Sequence, residues 1–333
     1  MSFAAIEGQD AALRVLTHAM SSDRLGQSYL FVGPSGVGKQ LAAMALARAM
    51  LCPVTPGDGC DACEVCARVS SGNHPDVRVW MPRDEGNRNL PVEYLRSEVL
   101  PLARFAPFEG PHAFFIFPEA DVSFPMQHPE AANALLKTLE EPRPTVHFLL
   151  LSERPDRLLS TIRSRCQRLR FAPLTPSVLD RVLQRHNVPI ELRSPALALA
   201  GGRADVALAL CEGERAQHVL ELALRIDQAL DHGSPAELLE LGESLARADD
   251  RALVLECLAT FYRDVAAAGL GRPLAELSFA HHADAINARA QRLAPRSAAQ
   301  RVARIARVGR EFERNANAEV ALDGLFFGLR AAG

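Results

Sequence analysis

The chain has 333 residues, 48% hydrophobic and 23% charged, which excludes intrinsic disorder as its main state. At about 100–200 residues per domain it is long enough for two or three domains, each with its own core. A formal net charge of −3 and a pI near 6.4 exclude a protein that coats nucleic acid by bulk electrostatics, since such domains run above about pI 9.

Taken in chain order, the first half alternates short apolar runs with segments of helical period. Ser28–Val32, Val77–Met81, Ala113–Phe117, Val146–Leu151 and Gln167–Phe171 read as strands. Gly38–Leu51, Val92–Arg104, Glu130–Glu141 and Asp156–Arg163 read as helices between them. This alternation predicts a parallel sheet covered on both faces. After Phe171 the pattern is helical only. Thr175–His186 and Pro195–Leu210, around the break Gly201-Gly202, predict a small lid, and the Leu/Ala-rich remainder from about Cys211 predicts a helical bundle.

The richest apolar stretch, Leu41–Cys52, is interrupted by Arg48 and falls short of the roughly 18 residues of a membrane span. The first dozen residues carry Glu7 and Asp10 and lack the basic and apolar regions of a secretory signal. The expectation is a cytoplasmic protein with no membrane partner, in which disulfides are disfavoured.

Of the 37 basic residues only Lys39 and Lys137 are lysine. Lys39 closes the segment Gly33-Pro34-Ser35-Gly36-Val37-Gly38-Lys39, which fits the G-x-x-x-x-G-K phosphate loop and stands between a strand and a helix. Gly33, Gly36, Gly38 and Lys39 are therefore the candidate phosphate-binding residues: glycines let backbone amides turn towards phosphate oxygens, and lysine reaches the terminal phosphates. Hydrolysis also needs Mg²⁺ held by a Ser or Thr after the lysine and by an Asp at the end of a second strand. Here Gln40 follows the lysine, and Ala113–Phe117 ends in Pro118-Glu119-Ala120-Asp121. Glu119 occupies the water-polarising position without a metal partner. The expectation is a nucleotide fold without useful ATPase activity, with an unusual metal site built on Gln40 or Asp121 as the alternative.

Four of the seven cysteines, Cys52, Cys60, Cys63 and Cys66, fall within fifteen residues. Their spacing closes on one tetrahedral ion, with structural zinc favoured over an iron–sulfur cluster, which would call for a further x3-Cys-Pro. His74 is a stand-in ligand by proximity, or polar surface. Cys166, Cys211 and Cys257 read as buried hydrophobes. Lys137 reads as a DNA-phosphate contact or, by default, as a solvated helix face. Arg301, Arg304, Arg307, Arg310 and Arg314 read as one basic stripe opposite Val302, Ile305, Val308 and Phe312, either for DNA or as the wet side of a bundle.

The cysteine quartet after the phosphate-loop helix, Asn73-His74-Pro75-Asp76, the run from Ala131 to Pro142 that ends Lys137-Thr138-Leu139-Glu140-Glu141-Pro142, and Ser164-Arg165-Cys166 together resemble the AAA+ subunits of the bacterial DNA polymerase III clamp loader. These motifs cover Gly33 to Phe171. The lost nucleotide chemistry and the length resemble the delta prime branch more than the longer gamma/tau ATPase branch. The resemblance implies an α/β P-loop AAA+ domain over residues 1–171 with a zinc knuckle at 52–66, a helical lid at 172–210 and an all-α oligomerising collar at 211–333. It implies a heteropentamer with gamma/tau and delta, in which gamma/tau hydrolyses ATP to load a sliding clamp on primed DNA and delta prime acts as a stator. The family's Ser-Arg-Cys arginine, carried onto Arg165, implies a finger reaching a neighbour's ATP. Ser152 and Arg203 fall in the sensor regions, as relics where no metal binds.

Overall fold

Among the described residues, five short strands form a single parallel sheet: β1 (Ser28–Val32), β2 (Val77–Val79), β3 (Ala113–Phe117), β4 (Val146–Ser152) and β5 (Gln167–Arg170), in the order β2-β3-β4-β1-β5. The computed structural model describes residues 3–81, 89–213, 215–312 and 316–331. All residues of β1, β3 and β4 are buried, so these strands read as continuous apolar runs, as a sheet covered on both faces requires. Alternate side chains still divide between two cores. Tyr29, Phe31, Phe114, Ile116, Leu149 and Leu151 face α1 (Asp10–Ser21) and α2 (Lys39–Leu51). α3 (Glu64–Ser70) packs on that same side through Val69 and Val65. Leu30, Val32, Phe115, Phe117, Phe148 and Leu150 face the other side, which is covered by the later helices α4 (Val92–Tyr94), α5 (Leu100–Arg104), α6 (Ala120–Ser123), α7 (Pro129–Glu140) and α8 (Ser160–Arg165).

The helix expected over 92–104 is interrupted by a π-helical turn at Leu95–Val99. Pro101 lacks the N–H that would bond back to Ser97, and its ring crowds that turn, so a widened turn before it accommodates the lost bond.

β1 lies between β4 and β5, with Val32 paired to Ser152 on one side and Arg170 on the other. The chain leaves β1 for β2 at the sheet edge and returns through β3 and β4. This reversal of strand order places the loop after β1 at the topological switch point, beside the carboxyl end of β4, where open α/β sheets bind ligands.

At the opposite end of β4 the buried His147 pairs with the half-buried His112. His147 Nδ1 is 2.9 Å from the Gly26 carbonyl and its Nε2 is 3.0 Å from His112 Nδ1. Burial lowers the His147 pKa to about 4, with His112 adding to the shift and the Gly26 bond opposing it. The folded value lies below the unfolded one, so the unfolded chain binds more protons between those two values and stability falls as pH drops from about 6.5 towards 4. The expected loss is about 3 kcal/mol. Trp80, the one tryptophan, stacks on Phe115 and Phe117 in the same sheet, so its fluorescence in urea titrations at successive pH values reads this unit directly. His147→Gln is expected to flatten the dependence across that window.

Contacts group the chain into two units, residues 1–178 with 202–205, and residues 179–201 with 206–333, so the 172–210 segment is shared between them. The second unit is helical: α9 (Pro176–Arg185) enters it, followed by α10 (Ile190–Leu199), α11 (Ala204–Leu210) from Val206 onward, α12 (Arg215–His232), α13 (Pro235–Arg247), α14 (Arg251–Gly269), α15 (Ala283–Ala290), α16 (Pro295–Phe312) and α17 (Ala318–Arg330). Within its core the Tyr262 hydroxyl donates to Asp227 at 2.7 Å, and Arg289 donates to Asp227 at 2.7 Å and pairs with Asp231 at 2.7 Å.

Arg301 joins this buried network, donating to the Tyr262 hydroxyl at 2.8 Å with its guanidinium over the Tyr262 ring. This corrects the single basic stripe expected on α16. At 100° per residue, steps of three rotate around a helix, and nine residues separate Arg301 from Arg310 by half a turn. Arg301 is thus on the buried face with Ile305 and Val308, while Arg310 is exposed. Arg304 donates to the Gly328 carbonyl, Arg307 pairs with Glu311 at 3.1 Å, and Arg314 lies outside the described residues. Among the described residues, no helix is long and apolar enough to cross a membrane.

Candidate functional site

The Gly33–Lys39 loop follows β1 directly, with the Gly33 N–H bonded to the Ser152 carbonyl at 3.2 Å. Each glycine has a structural reason. A Cβ at Gly33 would meet the Phe171 carbonyl oxygen at 2.3 Å, and Gly36 and Gly38 have φ of +61° and +98°, the left-handed region that side chains disfavour. Gly38 caps α2, a helix of small residues in which Ala42, Ala43, Ala45, Ala47 and Ala49 are fully buried, so it packs close to the sheet.

Lys39 is buried, and its ammonium donates to the carbonyls of Pro34 and of Gly33, the latter at 2.7 Å. Two further carbonyls of the loop are also engaged. Gly36 accepts from the Ala204 N–H at 3.2 Å, and Val37 accepts from the buried Gln9 amide at 2.9 Å. Gln9 also bonds Ala172 through both its amide nitrogen and its oxygen, at 2.8 and 3.0 Å, which ties the loop to the end of the sheet. Burial lowers the Lys39 pKa, against the opposing charges of Glu153, Asp121 and Asp205. Asp121 is buried and accepts from the Glu153 N–H at 3.2 Å. Burial raises the Glu153 pKa, Lys39 pulls it down, and Asp121 and Asp205 push it up further. Gln40 is exposed. Ser152 is buried, its hydroxyl accepting from the Arg154 N–H at 3.1 Å.

Of these residues, sequence reasoning missed Gln9, Glu153 and Asp205. Gln9 offered no signal beyond a polar residue ahead of an amphipathic helix, and Asp205 stands far from the loop in sequence. Arg203, two residues before Asp205, is half-buried in the same unit as the loop.

The four clustered cysteines converge at the C-terminus of α2. Cys52 caps that helix, and Cys63 caps α3, its sulfur accepting from the Cys66 N–H at 3.4 Å. All four Sγ atoms lie within 4.8 Å of one another, with Cys52–Cys63 at 3.9 Å and Cys60–Cys66 at 4.0 Å. Disulfides have S–S near 2.05 Å, whereas a tetrahedron with zinc–sulfur bonds of about 2.3 Å has edges near 3.8 Å. The donor set therefore fits a tetrahedral thiolate-bound ion. Backbone amides support it: Thr55 donates to Cys52 at 3.2 Å and Cys63 to Cys60 at 3.3 Å. Burial raises the Cys52 thiol, but amide bonds from Thr55, Cys60 and Val54 outweigh it and bring its pKa down to about 6. The Cys60 thiol is likewise lowered by the Ala62 and Cys63 amides. Arg48 braces the knuckle from α2, donating to Ser70 at 2.8 Å and pairing with Asp61 at 3.6 Å.

His74 is not part of the quartet. Its Nδ1 accepts from the Asp76 N–H at 3.2 Å and its Nε2 lies 3.0 Å from Glu109. Burial lowers its pKa, so the neutral ring donates through Nε2. Asp76 is buried and accepts from three successive backbone N–H groups, those of Phe108, Glu109 at 3.0 Å and Gly110 at 2.8 Å. Asn73-His74-Pro75-Asp76 is thus a loop anchor here. Cys166 and Cys257 are buried, with thiols pushed up to about 12 by that burial, while Cys211 is half-buried.

Arg165 is the last residue of α8, half-buried, at the sheet margin before β5. Its guanidinium donates to the Thr161 carbonyl at 2.9 Å and pairs with Glu140 at the end of α7. Lys137, one turn earlier on α7, is exposed.

The family model described as "DNA polymerase III, delta subunit" matches residues 8–175. The chain is 35% identical over 184 residues to DNA polymerase III subunit delta' of Bacillus subtilis, covering 55% of this chain and 54% of that protein. Against the Pseudomonas aeruginosa subunit delta' it is 35% identical over 181 residues, 53% of this chain and 52% of that one. It is also 29% identical over 288 residues to B. subtilis subunit tau, 79% of this chain and 49% of the relative. The alignments thus span about half the length of these relatives. Among solved structures, a gamma subunit-related protein of Thermotoga maritima aligns over 96% of this chain and 98% of its own, with 14% identity and a TM-score of 0.42.

Proposed function

Since the chain belongs to the DNA polymerase III, delta subunit family, we propose that it is a delta prime-type stator of a clamp loader, assisting ATP-dependent loading of a sliding clamp on primed DNA. The family match over residues 8–175 carries this reading. Its partners are gamma/tau and delta subunits in a heteropentamer, with clamp and DNA engaged through the assembly, and its compartment is the cytoplasm. The near-neutral charge suits a subunit that meets DNA inside a complex.

In this reading the chain hydrolyses no ATP of its own. Gln40 and Pro118 stand where metal-holding side chains are needed, which supports that assignment over the active gamma/tau-like alternative. Arg165 serves instead in trans: a guanidinium at the edge of the sheet suits stabilisation of developing γ-phosphate charge on a neighbour. Cys52, Cys60, Cys63 and Cys66 hold a structural zinc ion. Four protein ligands leave no open position for catalysis, so the metal supplies only the cross-link that fixes the knuckle.

Reconstitution with gamma/tau and delta tests the reading. The expected result is a co-eluting complex whose clamp loading needs this chain, while the chain alone shows no ATP turnover. Steady hydrolysis by the pure chain, abolished by Lys39→Ala, would establish the ATPase alternative instead.

A further inference from the structure

The phosphate loop is covered by a segment of its own unit. Residues 202–205 group with the first unit although the chain on either side belongs to the second. This short return is anchored at both ends. The Leu174 N–H bonds the Gly202 carbonyl at 2.9 Å, and the Ala204 N–H bonds the Gly36 carbonyl at 3.2 Å. Asp205 then lies against Gly36, in the middle of the loop. A Cβ built on Gly36 would fall 2.0 Å from Asp205 Oδ1, 2.5 Å from its Cγ and 2.7 Å from its backbone nitrogen. Asp205 itself is exposed, so its carboxylate is at the protein surface beside the loop.

We propose that Asp205 is a built-in acidic seal that excludes nucleoside di- and triphosphates from the Gly33–Lys39 loop. Two effects act together. The contact with Gly36 takes up space over the loop, so a polyphosphate has to displace residues 202–205 and break the Ala204–Gly36 bond. The charge also opposes entry: a phosphate loop offers its lysine to balance the ligand, but here Asp121, Glu153 and Asp205 already act on the single ammonium of Lys39. That ammonium is further committed to the Gly33 and Pro34 carbonyls. The motif persists in sequence because its glycines are needed for this closed packing, in which Asp205 takes the role of an internal anion. The inference concerns the chain's own loop and stands or falls apart from the clamp-loader reading.

Calorimetric titration of the full-length chain with ADP, and separately with Mg-ATP, tests it. Asp205→Asn removes the charge and keeps the shape, while Asp205→Ala also removes the bulk over Gly36; unchanged Trp80 fluorescence checks that the first unit remains folded. Both variants are expected to bind at least tenfold more tightly than the natural chain, the alanine variant more so. Adding Lys39→Ala to either is expected to abolish the gain. Affinities unchanged in both variants, a natural chain that already binds as tightly as they do, or a gain that survives Lys39→Ala would each overturn the proposal.

Discussion

Arg165→Ala in the reconstituted complex is expected, under the proposed finger role, to slow hydrolysis at a neighbour's ATP site by on the order of 10³-fold, with assembly unchanged. In the separate chain the guanidinium rests on the Thr161 carbonyl and the Glu140 carboxylate. An exposed pair of this kind contributes at most about 1 kcal/mol, so exchanging Glu140 for a γ-phosphate is a small cost against the charge stabilised in the transition state. Loss of the side chain should therefore leave the fold intact and remove rate. Arg165→Lys should recover little, because a lysine ammonium does not present the planar fork that matches phosphate oxygens. DNA-stimulated ATPase in single-turnover mode, compared with complex formation by gel filtration, separates the two effects. A variant complex that assembles and hydrolyses at the normal rate at every site would remove the finger assignment.

Loss of the proposed metal centre is expected to have the second large effect, on stability. Cys60→Ser or Cys66→Ser should lose the bound ion and destabilise the first unit by at least about 3 kcal/mol, a fraction of the roughly 10–16 kcal/mol that structural zinc contributes in isolated fingers. The fraction is smaller because the sheet and α2 have a core that does not depend on the knuckle. The seven-residue α3 does depend on it, being too short to persist alone. Arg48 would also lose its ordered partners Ser70 and Asp61 and be left buried without them. The melting temperature should fall by about 6–12 °C. Elemental analysis that finds no metal on the natural chain, or serine variants that melt unchanged, would rule the centre out.

Much of the fold was legible because its determinants are local. Ser28–Val32 and Ala113–Phe117 form strands with the expected bounds, since a run of apolar residues closed by glycine or proline has few other solutions. The same holds for Gly36 and Gly38, whose backbone conformations follow from neighbours a few bonds away, and for three cysteines whose successive spacing of three brings their sulfurs together. The α16 arginines differ from the expected single stripe for a related reason. Spacings of three and four suggest one face, but the three successive steps of three from Arg301 to Arg310 wind around the helix, and burial goes to Arg301. His74 was close to the cysteines in sequence, yet its two ring nitrogens are engaged with Asp76 and Glu109.

The sequence alone determined that this chain has a parallel α/β unit with a phosphate loop lacking its metal partners, a four-cysteine knuckle and a helical remainder. Tertiary structure decided what those parts face. Gln9 bonds Ala172 across 163 residues, Arg165 meets Glu140 across 25, and Asp205 reaches Gly36 from another segment of the chain. Such contacts are set by the strand order, which brings distant segments to the same end of the sheet, and no short-range pattern of spacing or hydropathy encodes them. The loop's motif could be read from seven residues; that its lysine is already bonded and outnumbered by carboxylates depends on residues 121, 153 and 205, which only the folded chain brings to it.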